Sequence, residues 1–381
     1  MYYFDHAATT PPYEEVVQTV AEVMGSHFGN PSSIHGLGLQ AERLVGKARE
    51  AVARLLHVLP EEIVFTSGGT ESNNMAIVGA ALHYAGRGKH LVTSELEHPS
   101  VYECFRYLER IGYEVTYVKP NGSGQLSARE VLAAVRQDTI LVSVMHVNNE
   151  IGAIQPVAEI GEGLREFPRT LFHVDAVQSV GKLPVKPGEW GVDLLSVSGH
   201  KFRGPRGSGL LYKRKGIALQ PLLIGGGQEA GARSGTENVP AMVGMAKALR
   251  LTMERRESDA QRMAGLRERL LTHIKAIPGL VYNGSDREAD MAPHIIGFSA
   301  PGIKPEVVVH ALEEHHIYIS TKSACSSGID RPSRILLALG ADGERAASGL
   351  RISLSPEHDT SSVDVVGRTL GQIMEKLGRF R

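Results

Sequence analysis

The sequence predicts an α/β fold: a large domain built on a mostly parallel seven-stranded sheet, followed by a smaller α+β domain. Three observations predict it. Short apolar runs ending in polar or glycine-rich turns alternate with helix-period segments through the first two thirds of the 381 residues, the order expected of strands joined by helical crossovers. A long helical pattern over 239–277 follows the glycine-rich stretch 225–235, and strands and helices then come in α+β order. Hydrophobic residues at 42% and charged residues at 22% give enough apolar surface for a continuous core and favour neither a disordered nor a membrane class.

The candidate strands are 62–66, 90–94, 114–118, 140–145, 171–174, 194–198 and 209–212. Between them, 41–56 carries Ala41, Leu44, Val45, Ala48, Val52 and Leu55 on one helical face, and Met75, Val78 and Leu82 share a face of the helix after residue 70. Segments 295–299, 307–314, 317–320 and 350–354 belong to the second domain, onto which the first dozen residues are expected to return. The expected division is a large domain at 13–255 and a small one formed by 1–12 and 256–381. There are no internal repeats.

Lys plus Arg number 41 against 42 for Asp plus Glu, so no charge excess points to nucleic acid or to a lipid surface. No apolar stretch approaches the roughly 20 residues that span a bilayer. The opening MYYFDHAATTPP shows no export or transit signal, and two cysteines make no disulfide framework, so a reducing cytoplasm is expected. The 16 histidines are scattered and predict no metal site.

Three places carry candidate chemistry. In DLLSVSGHK an apolar strand delivers Lys201 at its carboxyl end, flanked by small residues, where an amine can lose its proton and attack an aldehyde. LFHVDAVQ ends another strand at Asp175 with Gln178 beyond it, and strand ends of an open α/β sheet line one crevice. A carboxylate there can keep a pyridine nitrogen protonated and make its ring an electron sink. EIVFTS runs into Gly68, Gly69 and Thr70 at the start of a helix, whose bare amides suit a phosphate, although glycine turns of this kind also occur without a ligand. The loop lacks the Gly-Lys-Ser/Thr ending of a nucleotide triphosphate site. Gly36, Gly38 and Ala41 have dinucleotide-loop spacing but follow NPSSIH, not a strand.

With DHAATTPP, FGNPSSIHG, FTSGGTESNN, HPSV, MHVNNEIG, HVDAVQSVGK, DLLSVSGHK, GGGQEAGARSGTEN and SACSSG in order, the chain resembles the NifS/IscS-type cysteine desulfurases. The resemblance implies the class V aminotransferase, aspartate-aminotransferase-like fold and a pyridoxal 5′-phosphate cofactor. It implies that Lys201 bonds the cofactor, Asp175 pairs with its ring nitrogen, Gln178 reaches its hydroxyl, and His98 stacks on the ring and moves protons. Gly69, Thr70, Ser198 and His200 would hold the phosphate, with Thr236 reaching the phosphate of a partner subunit in a homodimer. Asn149 and Arg351 would bind the substrate carboxylate, for which a planar guanidinium in LRISL is well shaped.

The two thiols differ. Cys104 falls on an apolar helical face with Val101, Phe105, Leu108 and Ile111, as an inert core residue. Cys325 sits in the polar, small-residue KSACSSG, where Lys322 supplies positive charge and a thiol of ordinary pKa, about 8.5, becomes partly ionised. The resemblance makes Cys325 the sulfur acceptor: L-cysteine yields L-alanine and a Cys325 persulfide for delivery to an iron-sulfur scaffold or a thiolation enzyme. A selenocysteine lyase or another class V aminotransferase would use the same Lys201 and Asp175.

Overall fold

The computed structural model describes residues 1–321 and 332–378. After strand β1 (Tyr2–Tyr3) come helices α1 (Glu14–Ser26) and α2 (Gly36–Leu56). An alternating run follows: β2 (Ile63–Thr66), α3 (Gly69–His83), β3 (His90–Ser94), α4 (Pro99–Arg110), β4 (Glu114–Val118), α5 (Ala128–Ala133), β5 (Thr139–Met145), α6 (Val157–Gly163), β6 (Leu171–Asp175), β7 (Leu194–Ser198) and β8 (Gly209–Lys213). Every residue of β5, β6 and β7 is buried, as expected of β-branched and apolar runs at the centre of a sheet covered on both faces.

The seven strands lie in the order β2-β8-β7-β6-β5-β3-β4. The pairs from β4 through β7 are parallel, whereas β8 runs antiparallel to both β7 and β2. Length decides this: ten residues separate β7 from β8, too few for a crossover helix, so the chain must turn back. Helix α2 is capped by His35, whose side chain accepts from the Gly38 amide, and ends at His57 in the left-handed region. Its buried stripe is Ala41, Val45, Ala48, Val52 and Leu56, with Leu44 and Leu55 at the margin.

Helix α3 departs from the expected single face. Met75 and Val78 are buried but Leu82 is exposed, while Ser72, Asn73, Ala76, Ile77, Ala80 and Ala81 are also buried. The helix is packed between the sheet and α4, so burial extends round most of its circumference and periodicity marks no one side.

The remaining elements are α7 (Val239–Ala276), β9 (Val281–Asn283), β10 (Ile295–Ser299), α8 (Pro305–Glu313), β11 (Ile317–Tyr318), β12 (Ser320–Thr321), α9 (Arg334–Ala338), α10 (Gly343–Ala347), β13 (Gly349–Ser353) and α11 (Thr360–Gly378). Strands β12, β13, β10 and β9 make an antiparallel sheet, and β1 pairs with β11. Helix α7 serves two cores: Met245, Ala248 and Leu249 pack with the large sheet, whereas Met263, Leu266, Leu270 and Ile274 pack with Phe4, Phe298 and Ile352. Residue 255 lies inside this unbroken helix. Among the described residues, no helix is long and apolar enough to cross a membrane, and no cluster of His, Cys, Asp or Glu could hold a metal ion.

Two outcomes follow from this packing. Phe4 is fully buried in the second core, so Phe4→Ala should lower unfolding free energy by about 3–5 kcal/mol in urea titration. His173 on β6 bridges its neighbours, with Nδ1 2.8 Å from Ser143 Oγ on β5 and Nε2 2.9 Å from Ser196 Oγ on β7. Burial pushes its pKa down to about 3 from 6.5. A depressed histidine adds stability that is complete above the unfolded pKa and fades as pH falls from about 6.5 towards the folded value. The urea midpoint should drop across that window, and less steeply in His173→Gln.

Candidate active site

Strands β5 and β6 end level at Met145 and Asp175, and β7 runs two residues past the last pair, Asp175 with Ser196, to end at Ser198. Beyond these ends lies a cavity of about 160 Å³. After Ser198 the chain enters a single tight turn, Gly199–Phe202, which Arg203 closes in the left-handed region with φ 67°. Lys201 sits in that turn and lines the cavity. Its Nζ donates to the carbonyls of Ala7 and Ala8 at 2.6 and 2.8 Å. Lys182 lies behind it, with Nζ donating to the Lys201 carbonyl at 2.5 Å. Burial, then the charge of Lys201, push the Lys182 amine down to about 7.

Asp175 is the last residue of β6 and is buried. Its Oδ1 accepts from the Val177 amide at 3.0 Å and its Oδ2 from Asn73 Nδ2 at 2.9 Å. Burial raises its pKa, while these two bonds and the Lys201 charge oppose the rise. Gln178 also lines the cavity and donates from Nε2 to the Ala7 carbonyl at 3.0 Å, so the N-terminal segment receives both Lys201 and Gln178.

The turn between β2 and α3 forms another wall, to which Gly69 and Thr70 contribute. Gly68 has φ 155°, and a Cβ on Gly69 would come within 2.8 Å of Val177 Cγ2. Glycine is required at 69 because the turn presses against the segment that follows Asp175. The first amides of a 15-residue helix stand here with Ser198 and His200, a set that suits an anionic group. His200 Nδ1 lies 3.2 Å from Thr9 Oγ1, and burial, followed by Lys201 and Lys182, lowers its pKa to about 4.

His98 caps α4: its Nδ1 accepts from the Ser100 amide at 3.1 Å and lies 2.8 Å from Ser100 Oγ. Burial, followed by the charges of Lys201, Arg334 and Arg351, lowers its pKa to about 4, so the ring is neutral at neutral pH. Arg351, in the middle of β13, is 1% exposed. Its Nη1 donates to the Asn149 carbonyl at 2.8 Å and its Nη2 pairs with Asp5 Oδ1 at 2.9 Å. Nε is buried with no partner among the described residues.

The fold thus brings Gly69, Thr70, His98, Asn149, Asp175, Gln178, Ser198, His200, Lys201 and Arg351 to one cavity. Thr236 does not line it; it is exposed beside a separate hollow next to Arg233 and Asn238. Cys325 and Lys322 lie outside the described residues. Cys104 is buried, with its thiol pushed up to about 12, and is chemically inert. Sequence reasoning missed Asp5, Asn73, Ser100 and Lys182. Asn73 lies in the polar opening of α3, between Ser72 and Asn74, so nothing in the sequence set it apart from its neighbours.

Residues 2–366 match the family described as aminotransferase class-V. The chain is 44% identical over 384 residues to a protein of Klebsiella pneumoniae described as cysteine desulfurase IscS, covering 100% of this chain and 93% of that one. It is 41% identical over 376 residues to a protein of the same description from Dictyoglomus turgidum, covering 98% and 95%. A solved structure described as a NifS-like protein superposes with a TM-score of 0.91 at 37% identity, covering 99% of both chains. Similarity over almost the whole length leaves one assignment: the chain belongs to the class V aminotransferase family, in its NifS/IscS group.

Proposed function

We propose that the cavity binds pyridoxal 5′-phosphate on Lys201 and that the chain is a cysteine desulfurase, converting L-cysteine to L-alanine and passing the sulfur to Cys325. The observation that carries this reading is the placement of the Lys201 amine and the Asp175 carboxylate on adjacent strand ends around one small cavity, with the start of α3 as its third wall. The residues fit the cofactor. Asp175 is a buried carboxylate whose pKa is raised and which would gain from a protonated ring nitrogen. Gly69 leaves room for phosphate oxygens where no side chain fits. Asn73 Oδ1 and Arg351 Nε are buried polar atoms still lacking partners among the described residues.

When bound, the cofactor draws electron density away from the substrate α-carbon through its ring. Asp175 keeps the proton on the ring nitrogen. Lys201 would provide the point of attachment and, with its amine free, would serve as the base for the α-proton. His98, neutral above about pH 4, is placed to move protons over the ring face. Arg351 and Asn149 orient the substrate carboxylate, which must compete with Asp5 for the guanidinium. Cys325 would take the sulfur: an S–S bond to the substrate sulfur forms as the substrate C–S bond breaks, the β-carbon gains a proton to become the methyl group of alanine, and the α-carbon regains the proton given to Lys201.

The same reading makes the chain a homodimer, with exposed Thr236 directed to the phosphate held by the other subunit. The persulfide would pass to an acceptor protein, an iron-sulfur scaffold or a thiolation enzyme, and a thiol cycling in this way suits the cytoplasm.

Purified protein incubated with L-cysteine should form alanine, and borohydride reduction should lock the cofactor onto Lys201. Lys201→Ala should lose both. Cys325→Ala should keep the visible absorption of the cofactor but form no persulfide; alanine and persulfide formation undiminished in Cys325→Ala would remove Cys325 from the mechanism. Arg351→Lys, which loses the forked donor, should raise KM for cysteine on the order of 10- to 100-fold in steady-state assays.

A further inference from the structure

Asn73 on α3 stands between two groups of the cavity. Its Nδ2 carries two hydrogens and meets two acceptors, Ser100 Oγ at 2.9 Å and Asp175 Oδ2 at 2.9 Å. An ionised carboxylate only accepts, which settles that the amide nitrogen faces Asp175. Its Oδ1 is buried with no partner among the described residues. The orientation of the amide therefore depends on those two Nδ2 bonds.

Ser100 Oγ accepts from Asn73, and its own hydrogen can then go to His98 Nδ1, 2.8 Å away. The Ser100 amide donates to the same nitrogen at 3.1 Å. His98 Nδ1 is thus an acceptor twice over, and the ring proton belongs on Nε2. Protonating Nδ1 would set N–H against N–H, which adds to burial in keeping the ring neutral.

We infer that Ser100 and Asn73 are positioning residues that join His98 to Asp175 in one hydrogen-bonded row across α4, α3 and β6. The inference rests on the proposed cofactor site, because it makes the ring face and the ring nitrogen of one ligand answer to a single row. Without Ser100 Oγ, Asn73 is held by Asp175 alone and His98 Nδ1 by one backbone amide. Both ends then gain freedom to turn.

Nitrogen NMR of the histidine-labelled full chain tests this, with the His98 signals identified by their loss in His98→Gln. Asp175→Asn should shift the His98 Nδ1 signal in the otherwise native chain. The same change should shift it clearly less in a Ser100→Ala background, and Ser100→Thr should restore the full response. Asn73→Ser, which cuts the row at its middle, should move the signal whether or not Asp175→Asn folds. In steady-state assays Ser100→Ala should lower kcat about tenfold with KM for cysteine unchanged, whereas a purely structural helix-start role would lower only Tm. An equal response in the Ser100→Ala background, or an unmoved signal in Asn73→Ser, overturns the inference. A chain that shows the coupling but forms no reducible link at Lys201 would end the cofactor reading and leave the row intact.

Discussion

Parallel pairing of β6 with β7 is the constraint on which the site depends. Asp175 lies opposite Ser196 in that register, so the chain leaving β7 reaches Lys201 just past the level of the carboxylate. A slip of one residue would turn Asp175 to the other face of the sheet and away from Asn73. His173, two residues back on β6, bonds Ser143 opposite it on β5 and reaches Ser196 on β7 diagonally, tying the side chains of the three strands across that register. A polar row buried in a sheet holds only when each member finds its partner, and that makes the register specific.

Charge in the cavity is unevenly shared. Lys201 and Arg351 supply positive charge close together, Lys182 behind them is pushed down to about 7, and burial, followed by the charges around them, keeps His98 and His200 neutral. Asp175 and Asp5 are the carboxylates placed against this set, the first beside Lys201 and the second paired with Arg351. Such a site favours an anionic ligand, and a phosphate with a substrate carboxylate would balance it.

The N-terminal segment links the two cores. Phe4 is buried with the second core, while Ala7 and Ala8 offer their carbonyls to Lys201 and Gln178 beside the large sheet. The Thr10 side chain donates to the His200 carbonyl, and Asp5 reaches Arg351 on β13. A short stretch of backbone therefore holds groups from both halves of the molecule at the cavity, although it contributes only two small alanines to its lining.

The sequence by itself determined the seven strands of the large sheet, the cavity-facing lysine and aspartate, and the glycine turn, because each is a local pattern: an apolar run stopped by a chemically distinctive residue at a strand end. Motif order then pointed to the family and, through it, to His98, Gln178, Asn149 and Arg351. The antiparallel course of β8, the burial of α3 on most of its circumference and the span of α7 across both cores were decided by tertiary packing. So were the partners Asp5, Asn73, Ser100 and Lys182. Their roles depend on distances between segments as far apart as Asp5 and Arg351, or Asn73 and Asp175. No period or motif encodes such a meeting, which arises only when separate elements are packed against one another.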